Sequence, residues 1–295
     1  MTQPHRIPKI LSVGRLYCDL IFGNLPRLPN LGTEVFAREF SIHAGGGAFI
    51  TAAHLSALGH PSALAAMLPS SPFADLIACE FQRAEIDTSQ CRHLPDDAGP
   101  QLTVAMAHRG DRAFLTRRVG PAFPELTPQD IKSLGVQHIH VGELASLAAQ
   151  PEIIKVARAL GLTVSLDCGW DEDLRSDAIR PLIGAVDVFL PNEPELQSLR
   201  QMGIVEAFAP LTVVKRGAAG AVAMAGEETI KAPTEPIRAV DTTGAGDAFN
   251  AGFLSAWLAH KPLADCLAAG NARGATTVRR FGGFAADEPA AVQMG

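Results

Sequence analysis

The chain has 295 residues, 47% of them apolar and 19% charged, with a formal charge of −6. That length suits one large α/β domain or two medium ones, and the apolar share supports a full core rather than a disordered chain. The negative balance gives no whole-molecule field for nucleic acid or acidic membranes, so any anion site must be local. Apolar runs fall short of the ~20 residues that cross a bilayer, and the first ten residues, MTQPHRIPKI, lack the apolar core of a signal peptide. The five cysteines (Cys18, Cys79, Cys91, Cys168, Cys266) are scattered without a CxxC pair. This pattern speaks against a disulfide framework or zinc site and fits a reducing cytoplasm.

In chain order, KILSVG (9–14) reads as a first buried strand. HIHVGEL (138–144), LTVSLD (162–167), VDVFLP (186–191) and LTVVKRG (211–217) read the same way, with helical stretches at 150–160, 173–183 and 193–202 between them. This rhythm predicts a parallel sheet covered on both faces. Ligands bind beyond the carboxyl ends of such strands, which places Gly14, Asp167, Asn192 and Gly217 on the expected active edge. Two regions break the rhythm: 20–44, rich in Pro and then alternating, and 100–119, two strands joined by a turn at RGD. Both read as antiparallel and half exposed. The expected organisation is one main domain over 1–295, with a small β-sheet lid from these two segments. Edge strands of the main sheet are the alternative.

Neither GxxxxGK[ST] nor a GxGxxG after the first strand is present, which removes a Walker loop and gives a dinucleotide site, hence a dehydrogenase, little support. The glycine-rich stretch that remains is VDTTGAGDAFNAGF (240–253). Phe249, Phe253, Leu254, Trp257 and Leu258 recur at helical spacing, so a helix is expected from about Gly246–Asp247. The N–H groups of Gly244, Ala245 and Gly246 then form an anion hole at the positive end of the helix. Asp247 opposes such a site by charge; read alone it is an N-cap.

DTTGAGDAFNAGF closely resembles the C-terminal signature of the ribokinase/PfkB carbohydrate-kinase family. GGGAFITAAHLSALG (45–59) is similar to the family's double-glycine signature, and VGRLYCD, NEPE (192–195) and VVKRGAAGA (213–221) follow in the family's order. The resemblance spans essentially the whole chain. It implies a three-layer α/β/α ribokinase-like fold with a mostly parallel central sheet and a small lid. It also implies an ATP-dependent kinase acting on a hydroxyl of a small sugar or sugar-like compound. Alternatives are a nucleoside kinase of the same family and a catalytically weak sugar-binding regulatory protein.

On this resemblance Asp247 is the general base, and the backbone at Gly244, Ala245 and Gly246 holds the transferring phosphoryl group. Asn192 and Glu195 match the family's NxxE and would bind Mg²⁺, partly through waters; read alone they are a helix cap. Gly217 and Gly220 would border ATP, and Lys215 would reach its phosphates. A β-turn with a solvated Lys215 is the local alternative. Asn271 and Gly283 correspond to the adenine border, although small-residue helix packing explains AAGNARGATT equally well. Asp241 and Thr243 stand where many members hold a monovalent cation, usually K⁺. At the acceptor end Asp19 is in place, but Tyr17 replaces a common Asn and Ile50 replaces another. Gly45, Gly46 and Gly47 match well. Those two replacements make ribose itself a poor expectation and favour a more apolar or ring-bearing acceptor. Arg117, Arg118 and Glu143 are further acceptor-side candidates, with at least one of the two arginines expected to be an exposed lid charge instead, and His43, His138 and His140 read as structural or incidental. Relatives that pair through the lid imply a homodimer.

Overall fold

The computed structural model describes residues 7–108, 111–169, 171, 173–205, 208–235, 237, 242–279 and 282–284. The first third of the chain forms β1 (Ile10–Val13), β2 (Tyr17–Gly23), β3 (Glu39–Gly45), α1 (Gly47–Ala57), β4 (Ser62–Ala65), β5 (Met67–Leu68), α2 (Phe73–Arg83) and β6 (Arg92–His93). The middle forms β7 (Leu102–His108), β8 (Asp111–Arg117), α3 (Pro128–Leu134), β9 (His138–Val141), α4 (Leu144–Ala149), α5 (Glu152–Ala159), β10 (Thr163–Asp167), α6 (Ser176–Gly184), β11 (Val188–Leu190) and α7 (Glu193–Gln201). The last third forms β12 (Leu211–Lys215), β13 (Ala221–Ala225), β14 (Glu228–Ala232), α8 (Ala245–Leu258) and α9 (Leu263–Thr277).

The main sheet runs β14-β13-β12-β11-β10-β9-β1-β4. Strands from β4 to β12 are parallel, and β13 and β14 close the far edge antiparallel. Alternation along each strand sends apolar side chains to both faces. Leu11, Val13, Ile139, Val141 and Phe189 meet α3 to α7 on one side. Ile10, Val188, Leu190, Leu211 and Val213 meet α8, α9 and Leu55 of α1 on the other. The result is the expected three-layer α/β/α arrangement. The strands anticipated at 9–14, 138–144, 162–167, 186–191 and 211–217 are all present, each shortened by one to three residues where the chain leaves the ladder.

The two irregular segments form a sheet of their own, ordered β3-β2-β7-β8, rather than edges of the main one. Within each segment the pairing is antiparallel, as expected. The seam is different: β2 and β7 run parallel, with Asp19 opposite Thr103. On one face Ile21, Thr103 and Ala105 are buried, while Phe114 of β8, opposite Ala105, is exposed. The opposite face bears the register row Ile42, Leu20, Val104 and Leu115 and the neighbouring Phe40, Phe22 and Met106. Phe40 and Leu115 are exposed.

The histidines are structural, as read from the sequence. His138 bonds Thr163 and Ser165 at 2.8 Å each, and His140 bonds Ser165 at 2.8 Å. Burial lowers their pKa values to about 3 and about 4, so both are neutral at physiological pH. His43 pairs with Glu80 at 2.9 Å and ties β3 to α2. Among the described residues no helix is long and apolar enough to cross a membrane.

Candidate active site

The carboxyl ends of the parallel strands open into a cavity of about 620 Å³. Gly142 and Glu143 follow β9 at its rim, Asp167 ends β10, Asn192 follows β11 and Lys215 ends β12. Gly217 and Gly220 form the loop after β12, Asn271 and Gly274 come from α9, Val278 caps its end, and Gly47 begins α1. Gly244, Ala245, Gly246 and Asp247 line it from the start of α8.

Helix α8 begins at Ala245, earlier than the spacing suggested, with Gly244 as its N-cap at φ 70°. Gly244 is required there twice over. It takes the left-handed backbone, and a Cβ on it would lie 2.4 Å from the Gly283 Cα. Asp247 is therefore the third helical residue and makes no side-chain cap bond, which removes the N-cap reading. The Ala245 N–H turns to the Thr242 carbonyl at 3.3 Å. The first turn nonetheless faces the cavity with its dipole.

The Asp247 carboxylate opens onto the cavity on one side and is enclosed by protein on the others. Burial pushes its pKa up to about 7, Asp167 adds to the rise, and Lys215 and Arg112 oppose it. Its position also accounts for a glycine of the 45–59 stretch. A Cβ on Gly47 would stand 2.8 Å from Asp247 Oδ1 and 2.8 Å from the Gly142 carbonyl. A Cβ on Gly45 would stand 2.0 Å from Asp19 Oδ2. The two motifs thus meet at Gly47, while Gly45 makes room for β2, and α1 is locked to α8 by the Thr51 hydroxyl, which donates to the Asp247 carbonyl at 3.3 Å.

Lys215 is not a solvated turn residue. Its Nζ donates to Asp167 Oδ1 at 2.8 Å and to Asn250 Oδ1 at 3.2 Å. Burial disfavours the ammonium, but Asp167 and Glu195 outweigh that and its pKa lies above the ordinary lysine value. Asn192 and Glu195 form a reciprocal capping box: the Asn192 N–H donates to Glu195 Oε2 at 2.7 Å, and the Glu195 N–H donates to Asn192 Oδ1 at 2.8 Å. The cap reading is thus realised, and both residues also line the cavity. Asn271 donates to the Ala232 and Pro233 carbonyls at 3.0 and 3.3 Å while lining it. The packing reading of this helix also holds, because a Cβ on Gly270 would strike the Phe249 ring at 2.7 Å.

Other expected residues sit elsewhere. Tyr17, Asp19, Gly45, Gly46, Ile50 and Gly283 are not among the residues lining the cavity. Ile50 is buried and faces Gly283, where a Cβ would come within 2.4 Å of Ile50 Cδ1. Tyr17 is also buried, and burial followed by the Glu143 charge raises its pKa. Asp241 lies outside the described residues; Thr243 lies within them, beside Thr242. Arg117 donates to the Pro100 and Ala98 carbonyls and holds the end of β8. Arg118 forms an ion pair with Asp171 beyond β10.

Sequence reasoning missed Arg112. It rises from β8 of the second sheet, lies over the Phe114 ring at 5.2 Å, donates to the Thr242 hydroxyl and lines the cavity. Its position after the RGD turn was the available signal, but only the crossing of the second sheet over the first brings it there.

The pfkB family carbohydrate kinase profile matches residues 8–290. The chain belongs to that family. It is 27% identical over 293 residues to an ATP-dependent ribose-1-phosphate kinase of Halopiger xanaduensis, covering 96% of each chain. It is 27% identical to a nucleoside kinase of Methanothermobacter thermautotrophicus, covering 87% of this chain and 85% of that one. In fold it is similar to Arabidopsis thaliana ribokinase solved with ribose and ATP, with a TM-score of 0.77, 24% identity and 94% of each chain covered. This pfkB kinase is accordingly a carbohydrate kinase, an ATP-dependent phosphotransferase acting on a sugar-like substrate.

Proposed function

We propose that the chain transfers the γ-phosphoryl group of ATP to a hydroxyl of a small sugar or sugar-like acceptor, with Asp247 as general base. One observation carries this reading: a carboxylate with a pKa of about 7 shares a cavity with a helix N-terminus and a buried ammonium. Near that pKa Asp247 is available to accept the acceptor's hydroxyl proton. The first turn of α8 from Gly244 to Gly246 and the Lys215 ammonium supply positive potential to the charge spreading over the transferring group. Gly217, Gly220 and Asn271 border the side on which the nucleotide lies. Gly47, Gly142, Glu143, Gly169 and Arg112 border the acceptor side.

That acceptor side is polar and glycine-rich, which supports a sugar over a nucleoside. The two residues that argued for an apolar platform, Tyr17 and Ile50, are buried away from the cavity lining. Asp19 in this reading acts beside Gly45, at the seam of the second sheet with α1. The second sheet would serve as the lid, because it delivers Arg112 and is tied to the main body by Arg118 and Asp171.

Mg²⁺ fits the donor set in a limited way. Asn192 Oδ1 and Glu195 Oε2 already serve the capping box, and among the described residues no group of three or more His, Cys, Asp or Glu forms a metal cluster. This suits an ion that keeps most of its waters and is held by Glu195 and Asn192 through them. Bound there, Mg²⁺ would neutralise phosphate charge. A K⁺ site at Asp241 and Thr243 rests on the family resemblance. The apolar outer face of the second sheet, with Phe40 and Leu115 exposed, supports a homodimer formed through it.

Measuring ADP release over a panel of pentoses, hexoses, keto-sugar acids and nucleosides tests the reading. Turnover with a sugar is expected. Ligand binding without turnover on any acceptor refutes it in favour of a binding protein.

A further inference from the structure

Beneath the first turn of α8 three side chains from three elements close a ring. Lys215 Nζ, from the end of β12, donates to Asp167 Oδ1 at 2.8 Å and to Asn250 Oδ1 at 3.2 Å. Asn250 Nδ2, from α8, donates to Asp167 Oδ2 at 2.6 Å. The Cys168 N–H adds a further bond to Asp167 Oδ1 at 2.7 Å. The ring admits only one orientation of the Asn250 amide, because turning it over would set its NH₂ group against the ammonium and its oxygen against the carboxylate.

Both Asp167 oxygens are engaged, and the residue is 7% exposed. It lines the cavity but is not placed to take a proton from an acceptor, which leaves that task to Asp247. An ammonium carries three N–H groups, and the ring uses two. Lys215 also lines the cavity, and the point where a Gly246 Cβ would stand lies 3.4 Å from its Nζ. The charge is thus fixed against the first turn of α8, where the transferring phosphoryl group would lie.

A role in stability alone accounts poorly for this arrangement. A buried ion pair contributes little net stability compared with apolar side chains of similar volume. A charge held in one place before the reaction, by contrast, stabilises developing charge without reorganisation.

We propose that Asp167 and Asn250 are positioning residues that hold the Lys215 ammonium against the start of α8, with its remaining N–H for the phosphoryl group in transfer. The proposal rests on the kinase reading and deepens it. It predicts that the ring matters for the planar phosphoryl group and little for the bound diphosphate.

The test is calorimetric binding of ADP with Mg²⁺, in the absence and presence of aluminium fluoride, which mimics a planar phosphoryl group beside ADP. Wild type, Asp167→Asn and the milder Asn250→Ser are compared, with the melting temperature of each. Wild type is expected to bind ADP more tightly when aluminium fluoride is present. Asp167→Asn should lose about 10²-fold of that enhancement and Asn250→Ser about tenfold, with affinity for ADP alone held within about threefold. An undiminished enhancement in both variants overturns the proposal, as does an equal loss with and without aluminium fluoride, or no enhancement in wild type. If Asp167→Asn fails to fold, Asn250→Ser decides alone by the same criterion. Wild type that binds no ADP would instead refute the kinase reading itself.

Discussion

Replacing Asp247 by Asn keeps the shape of the side chain and removes its charge, and the structure gives two expectations of opposite sign. A positioned base is worth about 10²–10⁴ in rate, so kcat should fall by that factor while ATP affinity changes little. Stability should move the other way. The Asp247 pKa in the fold is about 7 against an ordinary 3.8, so the folded state holds this proton more tightly than the unfolded chain does. Between those two pH values the wild-type protein loses stability as pH rises, and above about 7 the loss is complete. At ~1.4 kcal/mol per pKa unit the displacement is worth about 4 kcal/mol, and water reaching the carboxylate from the cavity trims this to roughly 2–4 kcal/mol. The amide of Asp247→Asn does not ionise and escapes that cost. At ~2 °C per kcal/mol, the variant should melt several degrees higher at about pH 8, and the difference should vanish below about pH 4. A coupled ADP-release assay and a melting series across pH measure both. The kcat/KM of wild type should also fall about tenfold per unit as pH drops below about 7, because the base becomes protonated. Near-normal turnover in Asp247→Asn refutes the assignment. Lost turnover with an unchanged melting temperature at about pH 8 refutes the claim that the carboxylate is held desolvated.

Gly47→Ala places a methyl group 2.8 Å from Asp247 Oδ1 and from the Gly142 carbonyl. It should cut kcat by about tenfold or more, read in the same assay, since a displaced base loses its alignment; unchanged kcat would show that the carboxylate shifts freely. Arg112→Gln removes the cation that the second sheet brings to the cavity. Loss of one such donor should cost about 10² in kcat. It should also move the acid limb of the pH profile upward, because Arg112 lowers the Asp247 pKa. The paired change Phe40→Glu and Leu115→Glu puts charge on the exposed face of the second sheet. Light scattering should show a dimer in wild type and a monomer in this variant, and a monomeric wild type would dismiss the interface.

The parallel strands were readable because burial on both faces writes short β-branched runs ending in Gly, Asp or Pro, and the structure keeps all five. The start of α8 was read late by a residue or two, since apolar periodicity begins at Phe249 while the first turn of the helix is built from Ala245 and Gly246. Ile50 was harder. Every residue from Ala48 to Leu55 is buried, so α1 has no polar face from which to judge which side meets a ligand. Two further features were out of reach for one reason, sequence separation. Asn250 meets Asp167 across 83 residues, and Arg112 meets Thr242 across 130. No local pattern encodes such pairs; they follow from the order of strands in the sheet and from the parallel seam between β2 and β7.

The two glycine signatures are better understood together than apart. In the first, at 45–59, two omitted side chains make room for carboxylates: Gly45 for Asp19, and Gly47 for Asp247 of the second. A helix N-terminus beside a carboxylate is stabilised by charge, but it also draws the carboxylate into cap bonds that would consume it. In α8 this is avoided. Gly244 takes the cap position without a side-chain bond, and Asp247, at the third helical position, makes none either. The contrast with α7 is direct, because there Asn192 and Glu195 do bond reciprocally. Two helix starts on the same edge therefore treat their acids differently. One commits its glutamate to the backbone, which suits a fixed outer partner for a hydrated ion. The other withholds its aspartate from the cap, which suits a group that must take up a proton.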